Sequence, residues 1–351
     1  EAPEQLLNTI RARFSDIYKE YERYESKVDE NSILQYHFIA HQKWAGKEYQ
    51  QYVSKVKEKV NNFISEGKDA EALIFIDEYT KELKETFITV NEILNSKISY
   101  LRDIFILSRT GNFWPLLIKI FKFDESENKE KFSHIVHLLE IYSFRVYAVN
   151  QNRGNTGQSK LYTYAKDFLG DFDTLETLLI NIISEYSSDN LFKSNLSDPY
   201  IYEWMSTRDL SYLFWKYENY LRTSKQPKSS PMSENEFVTN NSKYKLSIEH
   251  IASQTPRNTI IKDNSILPQI SDEFKEQFLH SLGNLTIDPQ SANSSKGNKD
   301  FDDKNEHYFK KAAFKTQNEL QYYLINNEWS SGSIIKRKNK LIEFSLENWG
   351  I

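Results

Sequence analysis

Apolar residues recur at three- and four-residue intervals through nearly all of residues 4–222, and nothing else in the sequence restricts the fold so strongly. That spacing lays an apolar stripe on an α-helix and does not fit one face of a strand. Leu6, Leu7, Ile10, Phe14, Ile17 and Tyr21 predict a helix over 4–28. Ile33, Leu34, Phe38 and Ile39 predict a second, capped by Ser32. Tyr49, Tyr52, Val53, Val56, Val60 and Phe63 place a third over 47–65, ended by Gly67. Leu73, Ile76, Tyr79, Leu83, Phe87, Val90 and Ile93 form one long pattern over 69–107, stopped by Arg109-Thr110-Gly111-Asn112. Pro115 suits the first turn of a helix opening at Phe113, where a missing N–H costs nothing. Residues 129–149 and 160–186 continue the pattern, the latter broken near Gly170. Ser206-Thr207-Arg208-Asp209 has the form of a capping box. It precedes a helix through Leu213, Trp215, Tyr217, Tyr220 and Leu221. With 10 Gly and 8 Pro in 351 residues, little interrupts these helices.

The texture then changes. Thr223–Glu236 carries Ser, Lys, Pro and Asn and almost nothing apolar, as a linker does. Strand-like runs appear for the first time at 245–251 and 284–287. Between them Ser271 is read as an N-cap, with a helix to Leu282. Helix is expected again from Phe301 to Leu324 and over 333–346. In that last helix Ile334, Ile335, Leu341, Ile342 and Phe344 face inward, and Lys336-Arg337-Lys338 is a solvated face. The expected organisation is an α-helical domain over 1–222, a linker over 223–243, and an α+β domain over 244–351. The fold class is mainly α.

Composition narrows the function. The chain has no Cys, so thiolate metal sites and disulfides are excluded and a reducing, cytoplasmic setting fits. No apolar run approaches the ~20 residues of a membrane span. The opening Glu-Ala-Pro-Glu-Gln has no signal-peptide pattern. It also lacks an initiator methionine, as a processed or excised segment would. Net charge is −5; from residue 244 onward 14 Lys+Arg balance 14 Asp+Glu. Neither half is strongly basic overall, so contact with nucleic acid would need a locally basic groove.

The chemistry-bearing residues lie after the linker. Ser247-Ile248-Glu249-His250-Ile251 is a β-branched run ending on Glu-His. Leu282-Gly283-Asn284-Leu285-Thr286-Ile287 is a second apolar run with a Gly-Asn. Asn293-Ser294-Ser295-Lys296 opens a helix. Phosphodiester hydrolysis needs a base for water, a divalent ion on the phosphate, and a rigid frame. Strand, strand and helix can supply all three. His250 is the candidate base. Asn284, expected on the second strand, would bond the imidazole or the adjoining backbone and orient it. Glu249 and Asn293 would offer oxygens to Mg²⁺ or Mn²⁺, which prefer such donors. Lys296 and Lys304 would follow along the helix and meet phosphate. Successive strand residues point to opposite faces, so Glu249 and His250 share a site only if the strand ends and bends at His250.

Ile248-Glu249-His250-Ile251, His280-Ser281-Leu282-Gly283-Asn284-Leu285-Thr286, and Asn293 through Phe301 with Lys304 resemble the C-terminal HNH domain of the GmrSD family of modification-dependent (type IV) restriction endonucleases. His37-Phe38-Ile39-Ala40-His41, Phe113-Trp114-Pro115-Leu116-Leu117 and Leu139-Glu140-Ile141-Tyr142-Ser143-Phe144-Arg145 resemble the family's helical middle. Trp329, Arg337 and Trp349 resemble its end. The resemblance implies a ββα-metal (HNH, His-Me finger) fold and cleavage of modified or foreign DNA in defence against phage. It implies His250 as general base, Asn284 as its orienting residue, and Glu249 and Asn293 as metal ligands. Two departures stand out. Ala252-Ser253 replaces the proline usual after His-Ile. The family's ParB-like NTPase domain is missing from this sequence, as expected of an excised C-terminal half or of a protein whose NTPase or sensor partner is separate.

Two other readings compete. One is a helical adaptor with a silent nuclease fold that docks such a component. The other is an RNA-cleaving toxin. His134 and His137, and His37 and His41, have spacings that could pair on a metal, but no further ligand lies nearby; helix packing is the expected use of both pairs.

Overall fold

The computed structural model describes residues 4–224, 228–238, 246–254, 271–296, 301, 304, 308 and 312–351. The chain is mainly helical, with one two-stranded sheet among the described residues. It forms two compact units. The first comprises 1–105, 109–140 and 155–179; the second comprises 106–108, 141–154 and 180–351.

In the first unit α1 (Glu4–Tyr21) lies along α4 (Asp69–Asn95). Arg13 is paired with Asp77 at 2.7 Å, and the Tyr24 hydroxyl donates to the Phe87 carbonyl at 2.9 Å. The helix expected over 4–28 stops at Tyr21, and the remainder continues as turns. α2 (Glu30–His41) is capped by Asp29, whose carboxylate accepts from the Ser32 N–H at 2.9 Å. The cap therefore falls three residues before the predicted Ser32, where a carboxylate also complements the helix N-terminus. α3 spans Tyr52–Ser65 after a 3₁₀ turn at Glu48–Gln51. The single helix expected over 69–107 is two, α4 and α5 (Ser99–Leu107). Asn95 turns its amide back to the Asn91 carbonyl at 2.9 Å, and Ser96 is extended with ψ 146. Short polar side chains of this kind compete with the helix ladder.

α6 (Trp114–Phe123) has Pro115 in its first turn and buries Trp114, Leu116, Leu117, Ile118 and Ile120. α8 (Gln158–Asp167) and α9 (Phe172–Tyr186) are separated at Gly170, whose φ of +99 other residues rarely adopt. The histidine pairs are placed in packing roles. His37 lies buried against the Thr86 hydroxyl at 2.8 Å. His134 faces Glu176 at 3.0 Å, and His137 stacks on Tyr100.

α7 (Glu130–Tyr142) runs into seven π-helical residues, Ser143–Val149, all buried. Those residues belong to the second unit, and Arg145 among them is a buried cation with internal partners. Its guanidinium meets Asp189 at 2.6 Å, the Trp349 carbonyl at 3.0 Å and the Ser187 carbonyl. α10 (Asp189–Leu196), α11 (Ile201–Trp204) and α12 (Thr207–Ser224) follow. Ser206 caps α12, as expected, accepting from the Asp209 N–H at 3.1 Å. The described part of the stretch read as a linker folds back on α12. The Trp215 indole donates to the Met232 carbonyl at 3.0 Å, and Phe237 stacks on Trp215.

β1 (Leu246–His250) and β2 (Leu285–Pro289) pair antiparallel, with Ile248 opposite Ile287 and His250 opposite Leu285. A helical segment at Asp272–Leu279 and a 3₁₀ turn at Leu282–Asn284 lead into β2, and Gln290–Lys296 is helical directly after it. The C-terminal helix, Ser331–Trp349, opens on a capping box at Ser330 and Ser333. Ile334, Leu341, Ile342 and Phe344 are buried on it as predicted, but Ile335 is exposed and Arg337 is fully buried. The cluster read as a solvated face thus has an internal cation at its centre. Arg337 donates to the carbonyls of Gly283 (3.0 Å) and Leu285 (2.6 Å) and pairs with Glu319 at 3.2 Å.

Candidate active site

β1, the bend after it and the helix Gln290–Lys296 border a cavity of about 350 Å³. Its lining includes Glu249, His250, Asn293 and Lys304, four of the six residues singled out in the sequence. His250 is the last residue of β1, and the chain bends at Ile251 and Ala252. That bend meets the condition under which neighbouring strand residues can share one site.

Asn284 is fully buried in the 3₁₀ turn one residue ahead of β2. Its side chain does not reach the imidazole. Its amide nitrogen donates to the Leu279 carbonyl at 2.8 Å, and its Oδ1 accepts from the Ala252 N–H at 2.8 Å. The Trp329 indole donates to the same oxygen at 3.1 Å. The Asn284 carbonyl accepts from the Ile251 N–H at 2.9 Å. Of the two roles foreseen for Asn284, the structure has the backbone one: it holds the bend that follows His250.

Glu249 is buried, with its Oε1 2.8 Å from the Lys304 ammonium and 3.0 Å from the Tyr308 hydroxyl. Burial raises its pKa, against the lowering effect of Lys304. Lys304 also donates to the His250 carbonyl at 2.9 Å. This lysine joins the two site residues from the inside, so its charge is already matched by Glu249. Lys296 is likewise internal. It pairs with Asp288 at 2.9 Å, with both side chains almost fully buried, and lies over the Tyr308 ring. The other Asp288 oxygen accepts from Gln317 at 2.7 Å. Asn293 donates to the Ser247 hydroxyl at 2.9 Å and to the Ile248 carbonyl at 3.3 Å. Both bonds use its Nδ2 and leave Oδ1 as an acceptor.

Sequence reasoning assigned no role to the groups around the imidazole. His250 Nε2 lies 3.3 Å from His280 Nδ1. His280 Nε2 lies 3.6 Å from a Glu203 oxygen. Tyr202 meets His250 edge to face at 4.4 Å and is parallel to His280 at 5.7 Å. The Gln254 amide nitrogen lies 3.1 Å from His250 Nδ1 and 3.2 Å from Nε2. Burial, then His280, then Lys304 push the His250 pKa down to about 3. The ring is therefore neutral at ordinary pH, with one nitrogen lone pair able to accept a proton.

Oxygen donors for a hard cation are present on the cavity wall. Among the described residues no hydrogen bond reaches Glu249 Oε2 or Asn293 Oδ1. This pair fits Mg²⁺ or Mn²⁺ as a partial shell, since such ions keep several waters and take substrate phosphate oxygens. No group of three or more His, Asp or Glu side chains converges among the described residues, so protein groups alone would not complete the shell.

An antiparallel strand pair followed directly by a helix, with a buried histidine at the end of the first strand, places an imidazole beside carboxylate and amide oxygens. Residues 186–344, a little under half of the chain, match the model of GmrSD restriction endonucleases, C-terminal domain. No curated protein matches the chain. Among the described residues, no helix is long and apolar enough to cross a membrane.

Proposed function

We propose that the chain is an HNH-type endonuclease that hydrolyses phosphodiester bonds of modified or foreign DNA, with His250 as general base. The observation that carries this reading is the neutral His250 ring on the same cavity wall as Glu249 and Asn293, within the region that matches the restriction endonuclease family. His250 takes a proton from water. The resulting hydroxide attacks phosphorus, the bond to the 3′ oxygen breaks, and that oxygen leaves with a proton from solvent. Asn284 holds the loop behind the base, so the ring keeps its aim through the step. An anionic phosphate entering the cavity favours the protonated imidazole, so substrate raises the basicity that burial suppresses. Mg²⁺ or Mn²⁺ held by Glu249 and Asn293 would supply positive charge to the crowded phosphate.

The test is nicking of supercoiled plasmid with Mg²⁺ or Mn²⁺. His250→Ala is expected to lose at least ~100-fold in rate, the scale of a positioned base, while the fold persists. Undiminished cutting by this variant would sink the assignment.

A second reading is favoured by one observation: Lys296 and Lys304 are both consumed by internal carboxylates. A silent module that docks an NTPase or sensor component would tolerate that arrangement. Mn²⁺ titration followed by electron paramagnetic resonance separates the two readings. A nuclease binds Mn²⁺ through Glu249 and Asn293, and Glu249→Gln with Asn293→Ala abolishes the binding. A silent module gives the same signal with and without these substitutions. Competition between plasmid and single-stranded RNA decides the substrate, since an RNA-cleaving toxin could use the same base.

A further inference from the structure

His250, His280 and Glu203 form a line of three titratable side chains from the cavity wall to the edge of the fold. The distances are 3.3 Å from His250 Nε2 to His280 Nδ1 and 3.6 Å from His280 Nε2 to Glu203 Oε1. The two imidazole planes are perpendicular, and Tyr202 packs on both rings. Glu203 is more than half exposed while His280 is largely covered, so the line runs from solvent inward. The Tyr202 N–H also donates to the His280 carbonyl at 3.2 Å, tying α11 to the segment that carries His280.

We propose that Glu203 and His280 are a positioning pair that fixes the tautomer of His250. This inference rests on the reading of His250 as the base. A carboxylate beside His280 Nε2 favours a proton on that nitrogen, which leaves Nδ1 of the same ring as an acceptor. Only one proton can lie between the two imidazoles, so His250 must carry it on Nε2. The His250 lone pair is then on Nδ1; the Gln254 amide, 3.1 Å from Nδ1 and 3.2 Å from Nε2, sits beside both ring nitrogens and leaves the choice to His280. In the opposite tautomer the proton would occupy the nitrogen needed to receive one from water. The arrangement follows the general logic in which a carboxylate orients an imidazole, with a second imidazole interposed.

The experiment uses the whole chain labelled with ¹⁵N-histidine, read by long-range ¹H–¹⁵N correlation at pH 8, with His250→Gln to assign the signal. The wild type is expected to show His250 protonated on Nε2 and bare on Nδ1. His280→Ala and Glu203→Ala should move it toward a mixture of tautomers. His280→Gln retains an acceptor oxygen and should restore the wild-type pattern. Glu203 is exposed enough for its variant to fold even if His280→Ala does not. In plasmid nicking, His280→Ala should lower kcat by roughly 10- to 100-fold with KM unchanged, and His280→Gln should recover most of the loss. If the His250 tautomer is the same in the wild type and in Glu203→Ala and His280→Ala, the pair does not position the base, whatever the rates. If the wild type does not nick DNA, the nuclease reading fails, and the tautomer pattern still decides whether the pair sets the ring.

Discussion

Individual side chains in this protein differ most from what their type suggests at its lysines. Lys296 follows Asn293 by one helical turn, which in sequence places it beside a phosphate. In the structure it neutralises Asp288 inside the fold. Lys296→Met strands a buried carboxylate, which typically costs about 3–5 kcal/mol. Urea unfolding should show that loss. The salt dependence of DNA binding should keep its slope, whereas loss of a phosphate contact would lower it by about one. The order Glu-His, Asn, Asn was legible because these residues lie at the end of one strand, just before the next, and in the short helix that follows. The partners of the lysines were not, since a lysine reads the same whether it meets phosphate or carboxylate. Glu203 and His280 left no spacing signal either. They come from segments far apart in the chain, and only the close approach of α11 and the segment before β2 makes them neighbours.

At the scale of elements, apolar periodicity located most helices and misplaced several of their ends. It continued through Asn95 and Ser96 because the break there is made by two polar side chains and needs no Gly or Pro. It also gave no sign of the π-helical turn at Ser143–Val149. Every residue of that turn is buried, so periodicity has no face to report. One close approach between elements can be tested directly. A Cβ on Gly283 would stand 2.2 Å from the Ile334 carbonyl oxygen in the C-terminal helix. Gly283→Ala must push that helix from the turn before β2, and overpacking of this kind costs about 1–3 kcal/mol or more. Thermal unfolding should show a clear drop in Tm. Gly111→Ala is the control: its Cβ meets only the Tyr36 hydroxyl at 3.9 Å, an ordinary contact, and Tm should stay within error.

For the whole molecule, the mainly helical character was readable from the spacing of apolar residues and the scarcity of Gly and Pro. The makeup of each compact unit was not. Glu218 of α12 accepts from the Lys315 and Thr316 N–H groups, and the Tyr217 hydroxyl from the same helix donates to Glu319. No local pattern announces such pairings across a hundred residues of chain. Acid should weaken the fold through its buried histidines. Burial first, and then neighbouring positive charge, lowers the pKa of His37 well below the ordinary value and that of His41 to about 3. The unfolded chain takes up these protons near pH 6.5 and the folded chain does not. Their contribution is therefore complete above about pH 6.5. It falls as pH drops toward the folded values, by up to about 1.4 kcal/mol per pH unit for each histidine. His41→Gln should flatten the urea-unfolding stability between pH 6 and 4 relative to wild type; an unchanged slope would show that His41 does not titrate with folding.

The grip of Trp329 on Asn284, and of Arg337 on the carbonyls of Gly283 and Leu285, has a bearing on synthesis. A ribosome releases the chain from its N-terminus, so His250 emerges long before the residues that lock the loop behind it. Until Arg337 has left the exit tunnel, the proposed base has no frame. With His250 as the proposed base, cutting would wait on the arrival of Trp329 and Arg337.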